Sequence, residues 1–399
     1  MIWNKYLVEE RKVLGINGAA ILLIFVSLYM HSKLVLYLAV FFLAVSITNQ
    51  LYLKRIGEGV SIDNITQKKR LFVNGKSEWT ITIQNGGFPI LKGELKVFFD
   101  HFVAPESSQI ESNLFMYEIS VPFSIYTQKT KQIRIPYTAK MRGIAKIRKL
   151  EIHIPSLFGF GETVLESKHF LKQLAIVYPE PLPVKGLTEQ ISIFQGTNAV
   201  PHSLYEDRLG PVGTRDYVQA DSFNKVHWKA SAKSQTLQTK IYETISEIGW
   251  NIALNVSNGH SITGSLEKLI SGLTEFAYYA YKRNIPYSLC VNVRTAGNTP
   301  FLYLAKGAGK EHLQMVLETL SSINLQNTSM PYDQMLSFFK NHLPEQPFFI
   351  HAGIRKDTTN KLLFDMGKRG IRLFELFIED EQGVVLRGLE NRNERRLSI

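Results

Sequence analysis

The stretch "VLGINGAAILLIFVSLYM", residues 13–30, and its neighbour "LVLYLAVFFLAVSIT", residues 34–48, decide how the first part of this chain is organised. Each run approaches the roughly 20 apolar residues that a helix needs to cross about 30 Å of hydrocarbon. The second run follows so closely that a cleaved signal peptide fits poorly, and neither run has the polar face of a soluble helix. We therefore predict a transmembrane helical hairpin within residues 1–57, with spans at about 13–30 and 34–53.

The charges beside these runs predict the orientation of the hairpin. Basic residues flank its outer ends, and the turn carries Lys33 alone: Lys5, Arg11, Lys12, Lys54 and Arg55. Because cytoplasmic flanks are enriched in Lys and Arg, both termini and the soluble part are predicted to be cytoplasmic, in a multi-pass protein of the plasma membrane. Aromatic residues near the ends of the runs are the predicted interfacial anchors: Trp3, Tyr6, Tyr29, Tyr37 and Tyr52.

Composition limits the remaining classes of protein. A chain of 399 residues with 45% apolar and 20% charged residues is folded and needs more than one core. Its one cysteine, Cys290, excludes a disulfide framework and a multi-thiolate metal site, and its apolar neighbours predict a buried strand position. The net charge of +11 indicates an acidic partner. Since the basic residues are dispersed and reach the membrane border, the lipid bilayer explains this charge better than nucleic acid.

Residues 58–162 have the pattern of a β-sandwich of the immunoglobulin or fibronectin kind. "SEWTITIQN" places Trp79, Ile81 and Ile83 on one face and ends at a turn signal, Asn85-Gly86. Similar short runs follow at regular spacing, as in a sandwich. The apolar "IPSLFGFGE", residues 154–162, is interpreted as a rigid connector.

Residues 249–399 alternate apolar strands with amphipathic helices, which predicts an open α/β sheet. The strand runs are "WNIALNVSN", "IPYSLCVNV", "QPFFIHAGI" and "IRLFELFI", and a helix is predicted over residues 265–284. Asp357 is the expected cap of a later helix. Asn255 and Ser257 end the first strand, where an Asp with Ser would hold a divalent ion. Because a neutral amide is a weak ligand for a hard cation, no cofactor and no metal are expected, and these two residues are a degenerate candidate.

Between these regions, within a connector at residues 163–248, lies the motif segment, residues 215–233, "RDYVQADSFNKVHWKASAK". As an enzyme site it would use His227 as base, Asp221 as its orienting group and Ser231 as nucleophile, but no oxyanion-hole signature accompanies them. As an anion-binding face it would use four cations: Arg215, Lys225, Lys229 and Lys233. As a packed framework it would join five residues: Arg215, Tyr217, Asp221, His227 and Trp228. The three readings stay open at this point.

The motif segment resembles the signature of the DUF 58 family (domain of unknown function), in bacterial membrane proteins with a helical hairpin, a β-rich region and a von Willebrand factor A-like region. The matching residues are Arg215, Tyr217, Asp221, His227, Trp228, Lys229 and Ser231, and the order of elements agrees along essentially the whole chain. Departures fall at Ala220, Asn224 and Asn255. The resemblance implies a MoxR-type AAA+ ATPase and a transglutaminase-like membrane protein as partners.

Together these patterns predict a multidomain, membrane-anchored α+β protein that works as a cytoplasmic adaptor and not as an enzyme. Two alternatives remain at this stage. One is a hydrolase that uses His227 and Ser231, and the other is a protein that binds an anionic ligand, lipid or nucleic acid.

Overall fold

The computed structural model describes residues 3–8, 11–106, 110–113, 116–156, 161–169, 171–195, 206–219, 221–244, 249–258, 261–324, 328–379 and 383–389. The chain divides into two compact units, Met1–Pro179 and Glu180–Ile399.

Both apolar runs of the first unit are helical. Helix α1 is Arg11–Met30 and helix α2 is Lys33–Arg55. His31, at φ 50°, makes the tight turn between them, and the Ser27 hydroxyl donates to the Ser32 carbonyl at 2.9 Å. Within the described residues α2 is the one helix long and apolar enough to cross a membrane, since the apolar part of α1, Asn17–Met30, is shorter. Helix α2 is thus a candidate span, and both crossings of the hairpin stay predictions.

The strands of the first unit are β1 Trp3–Val8, β2 Val60–Ile62, β3 Gln67–Phe72, β4 Lys76–Asn85, β5 Ile90–Asp100, β6 Val103–Pro105, β7 Ile110–Asn113, β8 Met116–Ile125, β9 Lys129–Ala139, β10 Gly143–Pro155, β11 Glu162–Ser167 and β12 Gln173–Tyr178. One sheet has the order β1-β11-β10-β5-β8-β7, with β12 pairing with β10 and β3 pairing with β12. The other has the order β2-β4-β9-β6.

Alternation of apolar and polar residues explains why these sheets share one core. In β4 the side chains of Trp79, Ile81 and Ile83 are buried, as predicted, and in β5 those of Leu95, Val97 and Phe99 join the same cluster. Period-two burial on each sheet is the signature of two faces packed together. The first unit is therefore a β-sandwich-like fold.

The first strand, β1, was not predicted, and it changes the limits of the sandwich. It pairs antiparallel with β11, from Trp3 opposite Ser167 to Val8 opposite Glu162. The sheets also continue through β12, beyond the expected boundary at residue 162. The sandwich thus begins before the helices and ends after the predicted limits of 58–162, because strands from both sides of that range complete its sheets.

The end of α2 is fixed to this sandwich. The side chains of Leu53 and Ile56 are buried, and the Thr163 hydroxyl donates to the Leu53 carbonyl at 2.9 Å. The Lys5 ammonium donates to the carbonyls of Lys54 at 2.5 Å and of Ile56 at 2.7 Å. Trp3 and Tyr52, expected as interfacial anchors, pack against the sandwich core instead. The helix therefore enters the β core without a flexible linker.

The second unit contains β13 Val184–Lys185, α3 Leu187–Gln195, β14 Glu206–Asp216, a 3-10 turn at Phe223–Lys225, α4 Trp228–Ser234, β15 Gln238–Thr244, β16 Trp250–Leu254, β17 Ser257–Asn258, β18 Ser261–Ile262, α5 Leu266–Lys282, β19 Tyr287–Arg294, β20 Phe301–Gly307, α6 Gly309–Ser322, α7 Tyr332–His342, β21 Phe348–Ala352, α8 Asp357–Lys368, β22 Arg372–Glu379 and β23 Gly383–Gly388. Its main sheet has the order β13-β23-β22-β21-β16-β19-β20.

The centre of this sheet is parallel, as the alternation predicted. Strands β22, β21, β16 and β19 run parallel, while β20 and β23 pair antiparallel with their neighbours. Strand β16 is fully buried and lies between β19 and β21, so the chain reverses its direction of winding there. In such sheets ligands bind at the carboxyl ends of the strands beside this reversal.

Two local predictions differ from the structure. Lys356 and not Asp357 is the residue before helix α8, since Asp357 already has helical geometry. The run "IRLFELFI" is not the last strand, because β23 follows it.

Candidate functional site

The motif segment lies on an antiparallel ribbon formed by β14 and β15. Asp221 is its centre: one carboxylate oxygen accepts from the Arg215 guanidinium at 2.5 Å, and the other accepts from the Val218 amide at 3.2 Å and the Thr239 hydroxyl at 3.0 Å. The Tyr217 hydroxyl donates to the Asp221 carbonyl at 3.2 Å. These bonds, led by the one from Arg215, lower the pKa of Asp221. The structure thus brings Arg215, Tyr217 and Asp221 together through hydrogen bonds.

The side chains of His227 and Ser231 form hydrogen bonds with backbone groups. The Nδ1 atom of His227 accepts from the Ala230 amide at 3.1 Å and so caps α4. The Ser231 hydroxyl donates to the His227 carbonyl at 3.0 Å and accepts from the Gln238 amide at 2.9 Å. Asp221 bonds to Arg215, Val218 and Thr239 instead of orienting the imidazole. The arrangement required for a nucleophilic serine is therefore not assembled.

Trp228 differs from the framework prediction because it faces outward. Its side chain is 60% exposed, and it meets the equally exposed Phe223 edge to face, with 5.5 Å between ring centroids. Val218 is also exposed. The aromatic patch, defined as Val218, Phe223 and Trp228, lies in the same segment as the exposed Lys229 and Lys233. Arg215 does not extend this basic face freely, since its guanidinium is bonded to Asp221.

A second polar group, the edge cluster, lies where β16, β19 and β21 end. It consists of Asn255, Ser257, Asn292, Tyr332 and His351. The Oδ1 atom of Asn255 accepts from the Ser257 amide at 3.1 Å, the Ser257 hydroxyl at 2.9 Å and the Asn292 amide group at 3.0 Å. Its Nδ2 atom donates to the Ile354 carbonyl at 2.7 Å. Both polar atoms of the Asn255 side chain are thus hydrogen-bonded.

Asn292 completes the edge cluster from β19. Its side chain is wholly buried, accepts from the Val256 amide at 2.7 Å and donates to the Met330 carbonyl at 3.0 Å. The oxygens of Asn255 and Ser257 are therefore bound to protein donors and carry no charge. A divalent cation needs anionic oxygen ligands, so these residues do not fit one. In the described part of the chain, no group of three or more His, Cys, Asp or Glu side chains is placed to hold a metal ion.

Tyr332 and His351 form the inner half of the edge cluster. The His351 Nε2 atom lies 3.0 Å from the Gly353 carbonyl, which can only accept, so Nε2 carries the proton. Nδ1 then accepts from the Tyr332 hydroxyl at 2.7 Å. Burial, more than the nearby Arg355 charge, lowers the pKa of His351 to about 3. The imidazole is therefore neutral, and both of its nitrogens are bonded.

Asn292 and His351 were missed by sequence reasoning. Each is a single polar residue within an apolar strand run, "IPYSLCVNV" and "QPFFIHAGI". The signal available was that a polar residue inside a buried strand requires a hydrogen-bond partner. Cys290 is buried in β19, as predicted. Residues 157–160 of the expected connector, and Ala220 of the motif segment, lie outside the described residues.

No protein-family model matches the chain, and no curated protein matches it. Solved structures similar to parts of it include a non-cellulosomal cohesin from the hyperthermophilic archaeon Archaeoglobus fulgidus, 9% identical over 30% of this chain and 90% of its own, with a TM-score of 0.20. PapD-like domain 7 of human CEP192 is 10% identical over 30% of this chain and 84% of its own, with a TM-score of 0.18. The sporulation control protein Spo0M from Bacillus subtilis is 13% identical over 34% of this chain and 56% of its own, with a TM-score of 0.18. At TM-scores this low the likenesses carry no argument, and the sandwich rests on its own strand pairing.

Proposed function

We propose that this chain is a membrane-tethered adaptor of the DUF 58 kind, held by a two-span helical hairpin, with its soluble units in the cytoplasm. The observation that carries the proposal is that α1 and α2 are inserted within one folded sandwich. Strand β1 precedes α1 and β2 follows α2, and both belong to the same β unit.

This arrangement supports two crossings. If α2 crossed alone, β1 and β2 would lie on opposite sides of the bilayer, and β1 could not pair with β11. Helix α1 has 20 residues, about 30 Å of helix, and its apolar part is Asn17–Met30. Large apolar side chains of both helices are exposed in the folded unit, Phe25 and Leu34 among them, and lipid would cover them.

The orientation rests on charge. Lys54 and Arg55 lie in the last turn of α2, beside the sandwich. Because basic residues are retained in the cytoplasm, the sandwich and the chain that follows it are assigned there.

The second unit is the proposed interaction module, with a von Willebrand factor A-like sheet. Its strand order, with the antiparallel edge strand β20 and the reversal at β16, supports this assignment. The edge cluster offers no charged ligand for a cation, so a partner is expected to bind elsewhere. The aromatic patch beside Lys229 and Lys233 offers apolar area and positive charge together, as interfaces with acidic partners do.

The proposed partner is a MoxR-type AAA+ ATPase, with a transglutaminase-like membrane protein as a second one. This rests on the resemblance of the motif segment and on the order of the regions. Crosslinking in native membranes, with and without ATP, tests it by identifying what co-purifies. Recovery of an AAA+ ATPase supports the adaptor, and its consistent absence contradicts the partner assignment.

The hairpin has its own test. Lys33→Cys places a thiol in the exposed turn, and Met141→Cys is the matched control on the sandwich, while Cys290 is buried and stays unreactive. An impermeant maleimide should label Lys33→Cys in intact cells and Met141→Cys only after lysis. Labelling of Met141→Cys in intact cells would contradict the proposed orientation. Labelling of Lys33→Cys only after lysis would contradict the proposed hairpin.

A further inference from the structure

One end of the sandwich, the hairpin end, is the place where the helices leave it. It is formed by three described turns: residues 56–59 after α2, residues 86–89 after β4, and residues 126–128 before β9. The Gly86 amide donates to the Gly59 carbonyl at 2.9 Å, and the Gln128 amide donates to the Asn85 carbonyl at 2.7 Å. These bonds place all three turns next to the end of α2.

The loop after β4 presents Phe88 in a fixed position. The buried Asn85 side chain accepts from the Gly87 amide at 3.0 Å and donates to the Phe88 carbonyl at 2.8 Å. Gly87 lies so close to the turn after α2 that a Cβ atom there would stand 1.9 Å from the Glu58 carbonyl oxygen. The backbone of this loop thus packs directly against the backbone of the turn after α2, while the Phe88 side chain remains 48% exposed.

Other exposed apolar side chains lie at the same end. Tyr126, in the turn beside Asn85, is 67% exposed. Leu91 follows Phe88 at the start of β5, and Val8 ends β1 shortly before α1 begins; both are exposed. Exposed apolar side chains that gather at one end of a fold, and do not lie singly, mark an interaction site.

Among the residues that the structure describes, the charges at the hairpin end are mainly positive. Lys92 and Lys129 are exposed beside Phe88 and Tyr126, and Lys54 and Arg55 end α2. The acidic residues of the described turns and adjoining strand ends are Glu58 and Glu162. Basic residues next to interfacial aromatics match the negative surface of a cytoplasmic leaflet.

We propose that the hairpin end is a membrane-contact face, with the rings of Phe88 and Tyr126 at the lipid interface and Lys92 and Lys129 at anionic headgroups. The inference rests on the proposed membrane tether and adds a second, peripheral attachment. Because the last turn of α2 is part of the sandwich core, the helix holds this face at the bilayer surface. The sandwich then stands directly on the membrane with a set orientation.

The test uses the full chain in the Cys290→Ala background, reconstituted into vesicles of phosphatidylglycerol and phosphatidylcholine. A nitroxide is attached to Phe88→Cys or Tyr126→Cys, which lie in different loops, so the result does not depend on one variant. Met141→Cys is the control, since it follows β9 at the Lys76 end of β4, about 30 Å away by strand length.

Labels at 88 and 126 should collide about threefold less with a water-soluble nickel complex than the label at 141, because interfacial side chains lie about 5–10 Å within the headgroup boundary. The protection should decrease in vesicles of phosphatidylcholine alone and in Lys92→Gln/Lys129→Gln. Equal protection there overturns the assignment of headgroup binding to the two lysines.

Equal exposure at 88, 126 and 141 in protein that resists carbonate extraction overturns the contact face and leaves the tether standing. Extraction of the protein by carbonate would instead contradict the proposed membrane tether. Failure of the tether and failure of the contact face therefore give different results.

Discussion

The edge cluster and the motif segment are both rich in polar side chains, but they differ in what remains available for binding. In the edge cluster the side-chain groups of Asn255, Asn292 and His351 are bonded to one another or to the backbone. In the motif segment the hydrogen bonds gather around Asp221, and Phe223 and Trp228 are left at the surface. Density of polar residues in a sequence therefore does not distinguish a binding surface from a packed interior; the distribution of exposed side chains does.

The largest effect on stability is expected from Asn292→Ala, because this change removes the hydrogen bonds of several buried groups at once. The Val256 amide, the Met330 carbonyl and the Asn255 side chain each lose a hydrogen bond in a buried site. Unsatisfied buried groups cost about 1–3 kcal/mol each, so we expect a loss of about 3 kcal/mol in the free energy of local opening. Hydrogen exchange of peptides from β16 and β19 measures it.

Asn224→Ala, an exposed amide of the motif segment, is the matched control and should change the opening free energy by less than about 0.5 kcal/mol. If Asn292→Ala behaved like Asn224→Ala, the edge cluster would not be the closed structural unit described.

An intermediate effect is expected from acid, through His351. Its folded pKa of about 3 lies below the value near 6.5 of an unfolded histidine. Stability from the neutral imidazole is therefore full above pH 6.5 and is lost as the pH falls toward 3. At pH 5 the loss is about 2 kcal/mol.

Melting curves between pH 7 and pH 5 check this, with His351→Gln as the variant that cannot titrate. We expect a shallower pH dependence in His351→Gln than in the original chain. His312→Gln should act in the same direction, since burial also lowers the pKa of His312. If the melting temperature of His351→Gln depended on pH as steeply as that of the original chain, burial would not lower the pKa of His351 as assigned.

The smallest effect on stability, and the largest on partner capture, is expected from Trp228→Ser. The side chain is mostly exposed, so its loss should change the free energy of unfolding by less than about 0.5 kcal/mol. Exposed aromatics at interfaces often carry more than 1 kcal/mol of binding, which corresponds to a loss of about fivefold or more in crosslinked partner. If crosslinking were unchanged with Trp228→Ser and lost with Asn292→Ala, the edge cluster and not the motif segment would be the binding region.

Regular elements with a clear period were predictable from the sequence. The strand around Trp79, the helix over residues 265–284 and the parallel centre of the α/β sheet are confirmed. Each depends on a local repeat of apolar residues, which is visible within a short window.

Features that depend on distant parts of the chain were not predictable. Strand β1 has few residues and a partner roughly 160 positions away, so Trp3 and Tyr6 suggested membrane anchors instead. The edge cluster joins residues from several strands and loops, and no local pattern links Asn255 to Asn292. The bonding of His227, Asp221 and Ser231 was likewise hidden, because the Ala230 amide, the Thr239 hydroxyl and the Gln238 amide become their partners only in the folded chain.

Strand β1 also sets an order of events during synthesis. It leaves the ribosome before both helices, and β11 becomes available only after roughly 160 further residues, which takes about 10–30 s at usual rates of translation. Both apolar helices are made within this interval, before β11 is available to pair with β1. Pairing of β1 with β11 is therefore a latch that closes only after both helices have been synthesised.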